Sequence, residues 1–392
     1  MTTFIIPKDP LLRWSLLVPR LHRKGLPPPF NTRQAQHVFW GRNAIYHGLH
    51  TLGIARGETV LVPAYHCAAV VEPVLQYGAH VTFYNVCRDC APDFEDIAAK
   101  VTPATKAVVV IHYFGFPQPM REWQDFCQAH GLKLIEDCAH VLASELGGQS
   151  LGTFGDVSIF SLRKFFPLYD GGQLIVNNPS HPYTITWERA SFLFSLKVAK
   201  NFLDKLSVDS GGGLARLLSR LVRLPSAIVQ WVLSRGEAPS KTVTVNSYGV
   251  DFDLNAVNMR ISGLSRYLLH NSDAQKIIEI RCANYRRLHD ALAPFPELAC
   301  LWPVLPDGIC PLTFPVLVRH QDDFHLVLRD RGIPAVTWGG VIHRQLPLEE
   351  FPDARFLYKR LVCLPIHQDI SREDIYKMAQ VIGDALGRRS TD

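Results

Sequence analysis

The chain has 392 residues, 47% of them hydrophobic and 20% charged, which suits a folded soluble protein and excludes a disordered one. Its formal charge of +5 is too mild to indicate nucleic-acid binding, and no apolar run reaches the ~20 residues of a membrane-spanning helix. Nine cysteines, an odd number scattered with no leader-like segment, are the pattern of a reducing cytoplasm.

Residues 1–35 form a short N-terminal segment marked by Pro27-Pro28-Pro29. From about 40 to 178, short β-branched runs alternate with helical spacing. Strands are predicted at 59–62, 107–111 and 132–135, and helices within 92–100 and 119–130. Continuous apolar strands are buried on both faces, so the expectation is an α/β fold with a mostly parallel sheet. Cys87-Arg88-Asp89-Cys90 has the spacing of a metal knuckle, but no second pair completes a tetrahedral site, and no metal is expected.

Residues 179–245 change character. Leu196, Ala199, Leu203 and Leu206 fall at helical spacing, and after Ser210-Gly211-Gly212-Gly213 a second leucine-rich helix is predicted. There Arg216, Arg220 and Arg223 share a face opposite Leu214, Leu217, Leu218 and Leu221. Such a helix can lie on an anionic membrane or bury its leucine face against the protein body or a partner. From about 280 the chain reads as a smaller α/β domain, with a strand at 312–318 and a helix opened by Ser371-Arg372-Glu373-Asp374.

The chemistry concentrates around Phe160-Ser161-Leu162-Arg163-Lys164, followed by Asp170-Gly171-Gly172 and preceded by the strand end Ile135-Glu136-Asp137. An amine able to condense with an aldehyde and a carboxylate able to hold a pyridine nitrogen protonated are what pyridoxal phosphate requires. Arg163 is a cation that favours loss of the lysine's proton, and the glycine pair lets the backbone approach a bulky cofactor. Taken singly, Lys164 reads as a surface charge and Asp137 as a strand-end cap.

These motifs carry a resemblance. Gly41-Arg42-Asn43-Ala44-Ile45 at a helix, Val62-Pro63-Ala64-Tyr65, Thr102-Pro103-Ala104-Thr105-Lys106-Ala107 and Ile111-His112-Tyr113-Phe114-Gly115 occur in order. Glu136-Asp137-Cys138-Ala139-His140, Gly155-Asp156, Phe160-Ser161, Lys164, Asp170-Gly171-Gly172 and Leu364-Pro365-Ile366-His367 follow. Over roughly 36–178 and 246–385 the chain resembles the DegT/StrS family of fold type I pyridoxal phosphate aminotransferases. The resemblance implies that Lys164 is the Schiff-base lysine and Asp137 the pyridinium partner, with His140 where the family usually has a glutamine near the cofactor's phenolic oxygen. It puts Arg42 and Asn43 at the helix start that binds phosphate, and makes Ser161 the phosphate-binding serine. Asn258 resembles the asparagine that reaches the phosphate from a neighbouring subunit, which implies a homodimer with a shared active site.

The chain also departs from the family. Ser161 and Lys164 are closer together than usual, and Cys67 stands where an aromatic residue stacks on the cofactor, leaving Tyr65 or His66 as replacements. The N-terminal segment and residues 179–245 differ from the family in parts that bear on substrate.

The expected architecture is an N-terminal segment (1–35), a large pyridoxal phosphate-binding domain (36–265) with a helical insert at 179–245, and a small C-terminal domain (266–392). The expected reaction moves an amino group from an amino acid, L-glutamate by resemblance, to a keto-sugar, nucleotide-linked, in amino-sugar or surface polysaccharide biosynthesis. Two alternatives stand beside it: a pyridoxal phosphate-dependent sugar dehydratase, whose known members replace the lysine with histidine, and a non-catalytic regulator or scaffold. Either the enzyme or the scaffold would be cytoplasmic, with contact at the inner membrane face through 195–235. No Gly-x-Ser-x-Gly elbow or Gly-Lys-Ser/Thr phosphate loop is present.

Overall fold

The computed structural model describes residues 5–19, 25–32, 35–180, 183–188, 192–209, 252–338 and 341–387. Strand β1 (Ala35–Val38) leads into helix α1 (Gly41–Thr51), followed by β2 (Thr59–Pro63), α2 (Ala68–Tyr77), β3 (His80–Tyr84), α3 (Phe94–Ala99), β4 (Thr105–Ile111), α4 (Met120–His130) and β5 (Lys133–Cys138). A small hairpin, β6 (Glu145–Leu146) and β7 (Gln149–Ser150), precedes β8 (Val157–Ser161), β9 (Gly172–Val176) and α5 (Phe192–Asp209). The main sheet has the order β1-β9-β8-β5-β4-β2-β3. Its core, β3 to β8, is parallel, and β9 runs against β8 and β1.

The three expected strands became β2, β4 and β5, and the two expected helices became α3 and α4, for the reason read from the sequence. The valines of β4 are buried because helices cover both faces of a parallel sheet, so no polar side is required.

Beyond residue 252 come helices Gly263–Asn271 and Ala274–Leu292, then an antiparallel sheet of β10 (Leu298–Cys300), β11 (Phe314–Val318) and β12 (Leu361–Leu364). Helix Arg372–Ala385 starts with the expected capping box: the Ser371 hydroxyl accepts from the Asp374 N–H at 3.1 Å, and the Asp374 carboxylate accepts from the Ser371 N–H at 3.0 Å. One apolar core joins the two sheets, taking in Val109 and Ile135 of the large sheet with Phe314 and Leu364 of the small one. A second cluster, with Leu12, Phe160, Phe166, Leu206 and Ile277, lies around the turn that carries Lys164.

Helix α5 is the first of the two helices expected in 179–245. Phe202 and Leu206 are buried in the second cluster, and Asp209 accepts a hydrogen bond from the Leu12 N–H at 2.7 Å, so the end of α5 holds the N-terminal segment. The arginine-bearing second helix, and with it most of the 195–235 stretch, lies outside the described residues. Among the described residues no helix is long and apolar enough to cross a membrane.

Alternation along β5 sends Glu136 and Asp137 to opposite faces of the sheet. Glu136, fully buried, accepts from the N–H groups of Gly152 (2.5 Å), Phe154 (3.0 Å) and Gly155 (2.9 Å), from the Ser158 hydroxyl (3.2 Å) and from His112 Nε2 (3.0 Å). His112 Nδ1 accepts from the Gln118 N–H at 3.1 Å, so the ring proton sits on Nε2 and points at the carboxylate. Burial opposes the negative charge, but the hydrogen bonds from His112 and from the Gly155 and Gly152 N–H groups outweigh it and hold the carboxyl below its ordinary value.

A depressed folded value means that the stabilisation is complete above the ordinary glutamate range, about 4.3, and is lost as pH falls through the folded value. Glu136→Gln is therefore expected to cost about 2 kcal/mol or more at pH 7. Urea midpoints at pH 7 and pH 3.5 check this: the gap to wild type should narrow at the lower pH, and a constant gap would show that charge is not what holds the loop.

Candidate active site

The parallel register pairs Asp137 with Ile159 and Cys138 with Phe160, so the carboxyl ends of β5 and β8 lie side by side at the centre of the sheet. Ligands collect at such ends. After Ser161 the chain makes a single 3-10 turn, Leu162–Lys164, and returns through Asp170-Gly171 into β9. Gly171 has φ +144, which an L side chain rarely adopts, and its carbonyl accepts from the Leu162 N–H at 2.9 Å to close the loop. The Asp170 carboxylate accepts from the Ser262 N–H (2.8 Å) and hydroxyl (2.9 Å), which anchors the loop to the segment before helix Gly263–Asn271.

Lys164 is partly buried, and its ammonium makes no hydrogen bond or ion pair among the described residues. Withdrawal from water lowers its pKa; Cys67 and Asp137 pull the other way, and Arg163 adds to the lowering. Asp137 is buried. Its Oδ1 accepts from the Ala139 N–H at 2.9 Å, and its Oδ2 has no hydrogen bond among the described residues. Burial raises its pKa against the charge of Lys164, the Ala139 N–H and His112.

His140 is buried with its ring nearly parallel to Phe114, centroids 5.7 Å apart at 21°. Its Nδ1 faces the Phe114 N–H at 3.1 Å and its Nε2 faces the Trp338 indole N–H at 2.8 Å. Burial and then the charge of Lys164 lower its pKa well below the usual histidine value, so the ring is neutral at pH 7. A neutral imidazole keeps one lone pair, so it satisfies one of these two donors at a time.

The start of α1 meets this group from the other side. A Cβ on Gly172 would lie 2.2 Å from the Trp40 carbonyl carbon, and one on Gly41 would lie 3.5 Å from Ser161 Cβ. Glycine at both positions lets the first turn of α1, Ser161 and the start of β9 touch. No side chain caps α1, so its leading N–H groups are of the kind that binds anions. Arg42 lies with its guanidinium carbon 4.6 Å from the centre of the Trp40 ring.

Lys164, Asp137 and His140 are thus coupled through charge, with Ser161 packed against the start of α1. Two expected residues are held elsewhere. The Asn43 amide donates to the carbonyls of Ala256 (2.7 Å) and Val257 (3.3 Å), and the Asn258 amide donates to Glu188 of the same chain at 2.9 Å. Of the two replacements for the missing stacking residue, His66 lies flat on Phe83 (5.1 Å, 10°) and Tyr65 packs among Tyr113, Trp338 and Tyr358. Phe114 belongs to the motif Ile111-His112-Tyr113-Phe114-Gly115, whereas Trp338 and Arg281 carry no local signal and only the fold brings them to the site.

The donor set fits pyridoxal phosphate. Among the described residues it combines an amine without a partner, a buried carboxylate with a free oxygen and an uncapped helix start beside a serine. The Tyr65 hydroxyl and Trp40 indole N–H, both buried, also lack partners among the described residues.

Residues 32–192 match the model of the DegT/DnrJ/EryC1/StrS aminotransferase family, and over that segment the resemblance read from the sequence is borne out. A GDP-perosamine synthase of Vibrio cholerae is 34% identical over 149 residues, 37% of this chain and 41% of the relative. A dTDP-4-dehydro-2,3,6-trideoxy-D-glucose 4-aminotransferase of Saccharopolyspora spinosa is 34% identical over 161 residues, 40% of this chain and 41% of the relative. The chain therefore matches about two fifths of the length of these curated relatives.

Over longer spans the likeness is of fold. The aminotransferase TlmJ from Streptoalloteichus hindustanus superposes with a TM-score of 0.61 at 21% identity, covering 90% of this chain and 86% of that one. Helicobacter pylori PseC, an aminotransferase involved in the biosynthesis of pseudoaminic acid, gives 0.60 at 19%, covering 90% and 86%. The fold is the expected one, a large mostly parallel sheet with a smaller C-terminal α/β unit, shared with these aminotransferases.

Proposed function

We propose that this chain is a pyridoxal phosphate-dependent aminotransferase that moves an amino group from an amino acid, with L-glutamate as first candidate, to a nucleotide-linked keto-sugar in amino-sugar or surface polysaccharide biosynthesis. The observation that carries this is the Lys164 amine, without a partner among the described residues, in the turn after β8 and charge-coupled to the buried Asp137 at the end of the adjacent strand β5. The names of the relatives support the sugar as acceptor.

Pyridoxal phosphate, when bound, supplies an electron sink for the negative charge that develops at the donor's α-carbon. Lys164 would anchor the cofactor and then move the proton at that carbon with its Nζ, a task helped by a pKa below that of an ordinary lysine. Asp137 would keep the ring nitrogen protonated, and the first turn of α1 with Ser161 would hold the phosphate. The neutral His140 would offer an N–H to an anionic ring oxygen only if Trp338 or the Phe114 N–H gave up its place at the ring. The division into 1–35, 36–265 and 266–392, a cytoplasmic setting and a homodimer in which Asn258 leaves Glu188 for the neighbour's site belong to the same reading. Lys164 weighs against the dehydratase, whose known members lack this lysine.

The test is a visible spectrum with added pyridoxal phosphate, followed by turnover with glutamate and a panel of nucleotide-linked keto-sugars. A cofactor band with amine transfer to one of them is expected. A band without transfer to any of them would overturn the substrate, and no band would overturn the activity itself.

A further inference from the structure

Arg281 is 1% exposed and, among the described residues, makes no ion pair with any carboxylate. The carboxylate whose charge favours it most, Asp369, comes after the Cys310 thiol in effect and already accepts from the Leu11 N–H at 2.9 Å and pairs with Arg13 at 3.1 Å. A buried guanidinium without a carboxylate is costly to keep, and packing alone could be met by an apolar side chain. What Arg281 touches accounts for it. Its Nη1 donates to the Leu312 carbonyl at 2.7 Å, its Nη2 lies 3.5 Å from the carbonyl of Lys164, and its guanidinium carbon sits 4.8 Å from the centre of the Phe165 ring.

These contacts lead to two walls of the site. The Leu312 N–H donates to the Phe114 carbonyl at 2.8 Å, and the Phe114 N–H is the one that faces His140. One planar cation therefore joins the lysine turn to the wall behind His140. Gln368 reinforces the same turn by donating to the Phe165 carbonyl at 2.9 Å. Both residues come from the C-terminal part of the chain, Arg281 from helix Ala274–Leu292 and Gln368 from the loop before helix Arg372–Ala385.

We infer that Arg281 is a positioning residue that, with Gln368, clamps the Lys164 turn from the C-terminal part and sets the distance between Lys164 and His140. A guanidinium suits the task because its fixed fork reaches two carbonyls at once while its face rests on Phe165. As a statement about catalysis the inference rests on the proposed function, but its test does not.

The test is competitive acetylation of the full chain across a pH series without added cofactor, read by mass spectrometry at Lys164 with exposed Lys377 as internal reference. In wild type Lys164 should titrate below Lys377. In Arg281→Met the freed turn admits water, and the Lys164 titration should rise by about one pH unit, leaving about tenfold less free amine at neutral pH. Arg281→Lys, which keeps the charge and loses the fork, should fall between. If Arg281→Met fails to fold, Gln368→Leu must show a rise in the same direction. A lowered melting temperature with an unmoved Lys164 titration would overturn the inference by making Arg281 merely structural. A shifted titration in a protein that binds no pyridoxal phosphate would leave the clamp standing and sink the aminotransferase reading.

Discussion

Lys164→Met is expected to lose amine transfer by at least about 10³-fold while folding as well as wild type. Two effects add. In the proposed reading the amine is the covalent anchor for the cofactor, and among the described residues its two neighbours at the site are engaged otherwise: His140 is already faced by two N–H donors, and Asp137 is committed to the ring nitrogen.

Stability should move the other way. The folded chain holds the Lys164 amine below its unfolded value, so the ammonium destabilises the fold at every pH under the folded value, and that penalty vanishes only as pH rises through the unfolded value near 10.4. A methionine of similar length removes the penalty, so the variant should melt at or above wild type at pH 7 and lose that advantage above about pH 10. Single-turnover kinetics, borohydride labelling and calorimetry at two pH values check the three parts. A borohydride-fixed label on a different lysine in wild type would remove Lys164 from its role.

Asp137→Asn is expected to lower the rate of the amino-acid half-reaction by about 10²-fold or more with little change in cofactor affinity. The amide has nearly the same shape and can accept the Ala139 N–H bond, so the strand end is preserved. What it lacks is negative charge beside the ring nitrogen, without which the nitrogen loses its proton and the ring its capacity to take up electrons. Burial already raises the Asp137 pKa in the cofactor-free chain, so the carboxylate costs stability there, and the amide should leave the melting temperature at or above that of wild type. Half-reaction rates from stopped-flow absorbance, with the cofactor dissociation constant measured separately, decide it. Rates within a few-fold of wild type would show that another group protonates the ring.

Much of the fold and the centre of the site were legible in the sequence. Apolar β-branched runs such as Val108-Val109-Val110-Ile111 can satisfy their side chains only between two layers of helix, so the parallel sheet and the strand ends followed from local pattern. The capping box at Ser371 was legible for the same reason, since its partners are three residues apart. Lys164 and Asp137 stood out because the chemistry of an aldehyde cofactor demands their types, and short loops left them at neighbouring strand ends. The leucines of α5 marked a helix, but not that its end would hold Leu12 through Asp209.

The sequence by itself therefore determined the sheet, the order of its elements and the lysine and aspartate at its carboxyl edge, because periodicity, caps and chemical type act over a few residues. Only the tertiary structure decided which groups are already bound and which are left to act. Asn43 and Asn258 read alike as phosphate donors, but their amides are held by Ala256, Val257 and Glu188. Glu136 and Asp137 are neighbours of one type, yet six donors, the Cys138 thiol among them, fix the first and one holds the second. Trp338 and Arg281 reach the site from 198 residues beyond His140 and 117 residues beyond Lys164. Hydrogen-bond satisfaction and desolvation depend on what the rest of the chain brings within a few ångströms, and no local pattern encodes that.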